Sequence, residues 1–370
     1  MKLRVPKHIV DITPYPPGKP IEELEREYGI SGSIKLASNE NPFGPSPLAS
    51  DAMRRALYNL HRYPDGSCYY LSEALSKHLA LAPERIIFGN GSNEIIEFLV
   101  KAFVQEADEV ITSHPSFLMY QKFVQVRGGI NHVVELRDMY HDLEKIVDLV
   151  SDKTRLIFLD NPNNPTGTFL PRDLLHSFLT KLPDHVIVAL DEAYIDFVDA
   201  PDHYETMPLI DDVAGRCGVV LLRTFSKAYG LAGLRVGFGL MCEAIAGCLH
   251  KVRQPFNVNL VAQEGARAAI ADSEFYDKTL SLTAAGKAYL SREVECLGCI
   301  PYPSHTNFFL IDVKGDATIL FEAMLKKGVI VRSMKAYGFD NYIRVNIGTS
   351  EENDRFLGAL SDALKECGYV

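Results

Sequence analysis

The chain has 370 residues, 47% hydrophobic and 23% charged, with a formal net charge of −10. That length exceeds what one core usually serves, so two units, or a large unit with a smaller companion, are expected. The acidic balance leaves no basic footprint for nucleic acid or anionic lipid, although single arginines can still hold small anions.

The N-terminus begins basic but meets Pro6 and Asp11 before any apolar stretch builds, unlike a signal peptide. No apolar run is long enough for a membrane helix. The seven cysteines are odd in number, and the one CxxC, Cys296 and Cys299, has no second pair to complete a zinc site. Reduced thiols, no metal and a cytoplasmic location are the expectation.

Residues 1–48 are proline-rich and irregular apart from the helical pattern "PIEELEREYGI", and read as an arm. Helical spacing follows in "SPLASDAMRRALYNL" and "SCYYLSEALSKHLAL". Next come the strand "RIIFG", the helix "SNEIIEFLVKAFV", the strands "EVITSH" and "NHVVEL", and the helix "DLEKIVDLV". The strand "RLIFLDN", a helix near 171–181, and the strands "HVIVALDEA" and "GVVLLRTFS" complete this part. Short apolar runs separated by helices predict a doubly wound, mostly parallel sheet covered on both faces, an α/β core. Beyond 250, long helical stretches over about 258–296 lead to "HTNFFLIDV", a helix near 316–327, "GVIVRSM", "YIRVNIG" and a closing helix. This shorter cycle predicts a smaller α+β domain. The expected division is an arm (1–48), a large domain (49–250) and a small domain (251–370).

In an open parallel sheet, ligands bind beyond the carboxyl ends of the strands. After "RIIF" come Gly91, Ser92 and Asn93, opening a helix; after "RLIFLD" comes "NPNNPTG" with Asn164. After "VIVAL" come Asp191 and Tyr194; after "VVLLR" come Thr224, Ser226 and Lys227. Each has a plainer reading: a solvated strand end for Lys227, a simple turn for "NPNNPTG", a helix cap for Asp191, a surface charge for Arg235. "GNGSNE" is a poor dinucleotide fingerprint, since Glu94 stands where the third glycine belongs. Together, the residues put a phosphate cradle, an amide, a carboxylate, a phenol and an amine on one rim. Pyridoxal 5′-phosphate asks for that set: a lysine for its Schiff base, an acid for its pyridine nitrogen, and donors for its ring oxygen and phosphate.

The ordered motifs "GNGSNE", "NPNNPTG", "DEAY" and "TFSKAYGLAGLRVG" resemble the fold-type I aminotransferases dependent on pyridoxal phosphate. The resemblance implies Lys227 as the Schiff-base lysine, Asp191 as the pyridinium partner, and Asn164 and Tyr194 on the ring oxygen. Ser92, Asn93, Thr224, Ser226 and Arg235 would hold the phosphate. Phe117 would stack on the ring, where many members carry tyrosine. Tyr63, in "HRYPDG", would reach the phosphate across a homodimer interface.

Among branches of the family, the arm "PYPPGKPIEELEREYG", "KLASNENPFGPSP", "RYPDG" and "TNFFL" resemble the histidinol-phosphate aminotransferases. That resemblance implies L-histidinol phosphate and glutamate or 2-oxoglutarate as substrates, in L-histidine biosynthesis. Arg344 and Arg332 would clamp their anions, Tyr15 would line the phosphate pocket, and Asn39 would approach the substrate. As strand-edge residues, both arginines also have a plain surface reading. Aromatic aminotransferases and a branch that decarboxylates phosphorylated threonine share these cofactor motifs. A non-catalytic relative and a dehydrogenase are the alternatives from other classes.

Overall fold

The computed structural model describes residues 4–14, 18–198 and 206–369. Its first strand, β1 (Ile34–Lys35), lies in the arm. The large sheet holds β2 (Ile86–Gly89), β3 (Glu109–His114), β4 (Ile130–Glu135) and β5 (Thr154–Asp160). It continues with β6 (Ile187–Asp191), β7 (Gly218–Thr224) and β8 (Gly237–Leu240), in the order β2-β8-β7-β6-β5-β3-β4. β8 runs antiparallel to both its neighbours, and every other pairing is parallel.

β5 shows why the apolar runs are continuous. Ile157 and Leu159 enter the core on one face, and Leu156 and Phe158 enter the core on the other. All four are fully buried, each stabilising the fold by about 1.5–3 kcal/mol relative to exposure. The helix Ser92–Phe103 covers the second face with Ile95, Ile96, Phe98, Leu99 and Val100.

The second sheet follows from β9 (Ile300–Pro301), β10 (Phe308–Asp312), β11 (Val329–Ile330), β12 (Arg332–Ser333) and β13 (Tyr342–Asn346). Four of these form an antiparallel sheet in the order β12-β13-β10-β9. β11 instead pairs in parallel with β1, and Leu36 joins the small sheet's core, so this part of the arm is built into the small unit.

Several elements differ from the sequence expectation. "GVIVRSM", expected as one strand, divides into β11 and β12, which serve different partners. The helical stretches expected over 258–296 are present as two helices, Leu260–Ile270 and Ser273–Cys296, the second capped by Asp272 accepting from the Phe275 N–H. The first of them packs Ala262, Ala266 and Ala269 into the large sheet's core. A helix, Met119–Arg127, connects β3 to β4, as a parallel pair requires. β8 escaped notice because glycines fill two of its four positions.

Candidate active site

Four strand ends converge. Lys227 follows β7, and its Nζ donates to the carbonyls of Asn39 (3.0 Å) and Ser38 (3.3 Å). Burial, then the Arg344 charge, pull the ammonium pKa from 10.5 down to about 8, against an opposing pull from Glu40. An amine so placed loses its proton far more readily than a free lysine. Asp191 ends β6, with Oδ2 accepting from the Tyr120 hydroxyl (2.8 Å) and Oδ1 from the Ala193 N–H (3.1 Å). Burial raises its carboxyl pKa to about 7, and the Tyr120 bond works against that rise.

Two glycines shape the opposite end. Gly91, at φ +79°, precedes the helix Ser92–Phe103, and a Cβ there would fall 2.7 Å from Arg235 Nη2. A Cβ on Gly237 would fall 2.4 Å from the Ser92 nitrogen. Without these side chains, a guanidinium and a helix N-terminus share one corner, which suits an anion. The Asn93 side-chain oxygen is buried there with no hydrogen-bond partner. Thr224 Oγ1 accepts from the Ser226 N–H at 3.1 Å.

These groups line one cavity of about 160 Å³, together with Phe117, Tyr120, Asp160, Asn164, Ala193 and Tyr194. Phe117 meets Tyr120 edge-on at 5.4 Å. The Tyr194 hydroxyl accepts from Asn39 Nδ2 at 2.9 Å, and burial lifts its pKa to about 12. A larger cavity, about 720 Å³, lies nearer Tyr229 and Tyr276. There Tyr276 donates to Asp196 (2.7 Å), and Arg223 donates to Glu192 (2.8 Å). The smaller cavity is the one that gathers Lys227, Asp191, Asn164 and Arg235.

Arg344, on β13, is buried. Its Nη1 donates to Asn164 Oδ1, and its Nη2 donates to the Ala37 carbonyl (3.0 Å). Arg332 stands directly opposite it in the β12–β13 register. Opposed like charges on neighbouring strands are destabilising, and an anion between them removes the cost. Across the chain, Arg332 lies beside Gly18 of the arm.

One expected residue stands apart from this cluster within the subunit. Tyr63 is 83% exposed and stacks on Phe256 at 4.9 Å, outside the cavity. Tyr15 lies outside the described residues. Conversely, Tyr120 and Asp160 line the cavity and were not among the expected residues, although Asp160 ends its apolar run as Asp191 does. Tyr120 sits only three residues beyond Phe117, but recognising it required knowing that a helix begins at Met119.

The family model for aminotransferase class I and II matches residues 31–360. The chain belongs to this family. The aminotransferase is 63% identical over 370 residues to a histidinol-phosphate aminotransferase of Desulfotalea psychrophila, covering 100% of this chain and 98% of the relative. A histidinol-phosphate aminotransferase of Moorella thermoacetica is 45% identical over 356 residues, covering 96% of this chain and 92% of the relative. Among solved structures, histidinol-phosphate aminotransferase from Sinorhizobium meliloti, in complex with pyridoxal-5′-phosphate, superposes with a TM-score of 0.90. It is 28% identical and covers 99% of each chain. Among the described residues of the aminotransferase, no helix is long and apolar enough to cross a membrane. No group of three or more His, Cys, Asp or Glu among them is arranged to hold a metal.

Proposed function

We propose that this aminotransferase moves an amino group between L-histidinol phosphate and 2-oxoglutarate, giving imidazole acetol phosphate and L-glutamate in L-histidine biosynthesis. The observation that carries the reading is 63% identity over the whole chain to a relative of that name. The opposed pair Arg332 and Arg344 supports it, because two guanidinium groups suit a phosphate dianion on one substrate and a carboxylate on the other.

Pyridoxal 5′-phosphate is the cofactor in this reading. The residues fit it: two glycines clear the corner where the Arg235 guanidinium meets the N-terminus of the helix Ser92–Phe103, a cradle for a phosphate. Ser92, Asn93, Thr224, Ser226 and Arg235 would hold the phosphate, with Tyr63 added from a second subunit. Asn164 and Tyr194 would meet the ring oxygen, Phe117 would cover the ring, and Asp191 would face its nitrogen. When bound, the cofactor supplies an electron sink for the charge left as the substrate Cα–H bond breaks.

The chain's own work is proton transfer and orientation. Lys227 Nζ, with its pKa brought down to about 8, takes the proton from the donor's Cα as general base. With the cofactor bound, the same amine would be placed to hand that proton on as general acid. Asp191, once ionised, would stabilise positive charge on the cofactor nitrogen. Arg344 and Arg332 fix the substrate anion, with Asn39 and Tyr15 beside it, so that Cα–H faces Lys227.

A homodimer completes the site. Leu57, Tyr58, Leu60 and Tyr63 are all more than half exposed along one short stretch, an apolar surface that a second subunit would cover. We divide the chain into arm (1–48), large (49–250) and small (251–370) domains, with the helix Leu260–Ile270 packed on the large one, and place the enzyme in the cytoplasm. The test is formation of glutamate from 2-oxoglutarate with each of three donors: histidinol phosphate, phenylalanine and phosphothreonine. Preference for histidinol phosphate by kcat/KM supports the reading; preference for phenylalanine, or release of carbon dioxide from phosphothreonine, overturns it.

A further inference from the structure

A buried histidine that the chemistry above does not use stands behind the cavity. His141 and Asp160 are 6% and 3% exposed. His141 Nε2 lies 2.9 Å from the Asp160 carbonyl oxygen and 3.3 Å from its carboxylate Oδ1. Both are acceptors, so Nε2 carries the hydrogen. On the other side, Nδ1 meets the Ser113 hydroxyl at 2.7 Å.

Asp160 is a hub. Its Oδ1 accepts from Ser116 Oγ (2.7 Å) and Asn163 Nδ2 (3.0 Å), while Oδ2 accepts from the Asn164 N–H (2.8 Å). Asn164 in turn accepts from Arg344. A chain of hydrogen bonds thus runs from His141, through the end of β5, to the arginine on the small sheet.

The segment that delivers His141 is costly to form. Residues Arg137 and Tyr140 exchange both backbone hydrogen bonds, and the two residues between them, Asp138 and Met139, sit at φ +53° and +70°. Positive φ at both central positions is the geometry of a tight hairpin turn, which favours Asn, Asp and Gly, not methionine. Thr166 and Thr168, from the Asn164 loop, both donate to the Met139 carbonyl (3.1 and 2.9 Å). The turn and the loop therefore hold each other, and the unfavoured backbone persists where it plants an imidazole against Asp160.

We infer that His141 and Asp160 are a positioning pair: His141 pins Asp160 at the end of β5 through its backbone carbonyl, and the Asp160 carboxylate holds the Asn164 backbone and so sets where Asn164 and Arg344 meet cofactor and substrate. The inference rests on the proposed function for the roles of Asn164 and Arg344.

The test uses three variants of the purified full chain: His141→Leu, which removes both ring nitrogens; His141→Gln, which keeps a donor; and Asp160→Asn. Three quantities are read: the dissociation constant for pyridoxal 5′-phosphate, by absorbance titration, and KM and kcat for glutamate. The pair predicts that His141→Leu and Asp160→Asn each weaken cofactor binding and raise KM about tenfold, with kcat changed less than about threefold. His141→Gln should restore most of both. If Asp160→Asn does not fold, the two His141 variants carry the test between them. Unchanged binding and KM in His141→Leu, or a Gln variant no better than Leu, would overturn the inference, since packing alone would then explain the histidine. A wild-type protein that takes up no cofactor would instead bring down the functional reading, and the inference with it.

Discussion

Replacing Tyr120 with phenylalanine isolates one hydrogen bond at the centre of the site. The ring is fully buried and stacks on Phe158 at 4.9 Å and 5°, a contact phenylalanine keeps. Only the hydroxyl, 2.8 Å from Asp191 Oδ2, is lost. The carboxylate then retains the Ala193 N–H alone, and its charged form becomes harder to maintain because the Tyr120 bond had been offsetting the burial that lifts its pKa. A hydrogen bond to a charged group contributes about 1.5–3 kcal/mol, so the charged carboxylate loses roughly 10- to 100-fold in its hold on a pyridinium. The assay is titration of apoprotein with pyridoxal 5′-phosphate near pH 7.5, followed by absorbance. Tyr120→Phe should bind that much more weakly, while the apoprotein melts close to wild type. Affinity unchanged within about twofold would refute the argument that Tyr120 sustains Asp191.

Other outcomes follow from the same geometry. Because the Asp191 carboxyl is raised from 3.8 to about 7, its contribution to apoprotein stability is full below pH 3.8 and is lost as pH rises through about 7. Melting curves should therefore show Asp191→Asn gaining stability relative to wild type from pH 4 to 8; a constant difference would contradict the burial argument. Lys227→Ala should lose the visible absorbance of the cofactor-loaded protein and at least about 10²–10⁴-fold in turnover, measured by glutamate release. Arg332→Ala should raise KM for histidinol phosphate by about 10- to 100-fold and that for phenylalanine far less; equal losses would make it structural.

The site was legible in the sequence where chemistry sits immediately after a strand. Asp191, Thr224, Ser226 and Lys227 directly end or follow apolar runs whose burial on both faces fixes their place on the rim. What escaped depended on long-range packing. β8 carries two glycines because one must let the Ser92 backbone approach, which is a property of the neighbour and not of the strand. Tyr120 is an ordinary residue of a helix until the fold turns it to the cavity. His141 becomes meaningful only once the 137–140 turn lies against the Asn164 loop. The split of "GVIVRSM" into two strands also had no local cause, since the arm supplies the partner for its first half from 295 residues away in sequence (Ile34 against Val329).

The central claim, that Lys227 moves a proton on an imidazole-bearing phosphorylated donor, is tested most directly in a single half-reaction. The cofactor-loaded protein is mixed with L-histidinol phosphate alone, and separately with L-phenylalanine, while its visible spectrum is recorded. The account predicts rapid loss of the visible band with histidinol phosphate and slow loss with phenylalanine. The reverse order would contradict the substrate assignment, and a protein that shows no band after incubation with pyridoxal 5′-phosphate would contradict the whole reading.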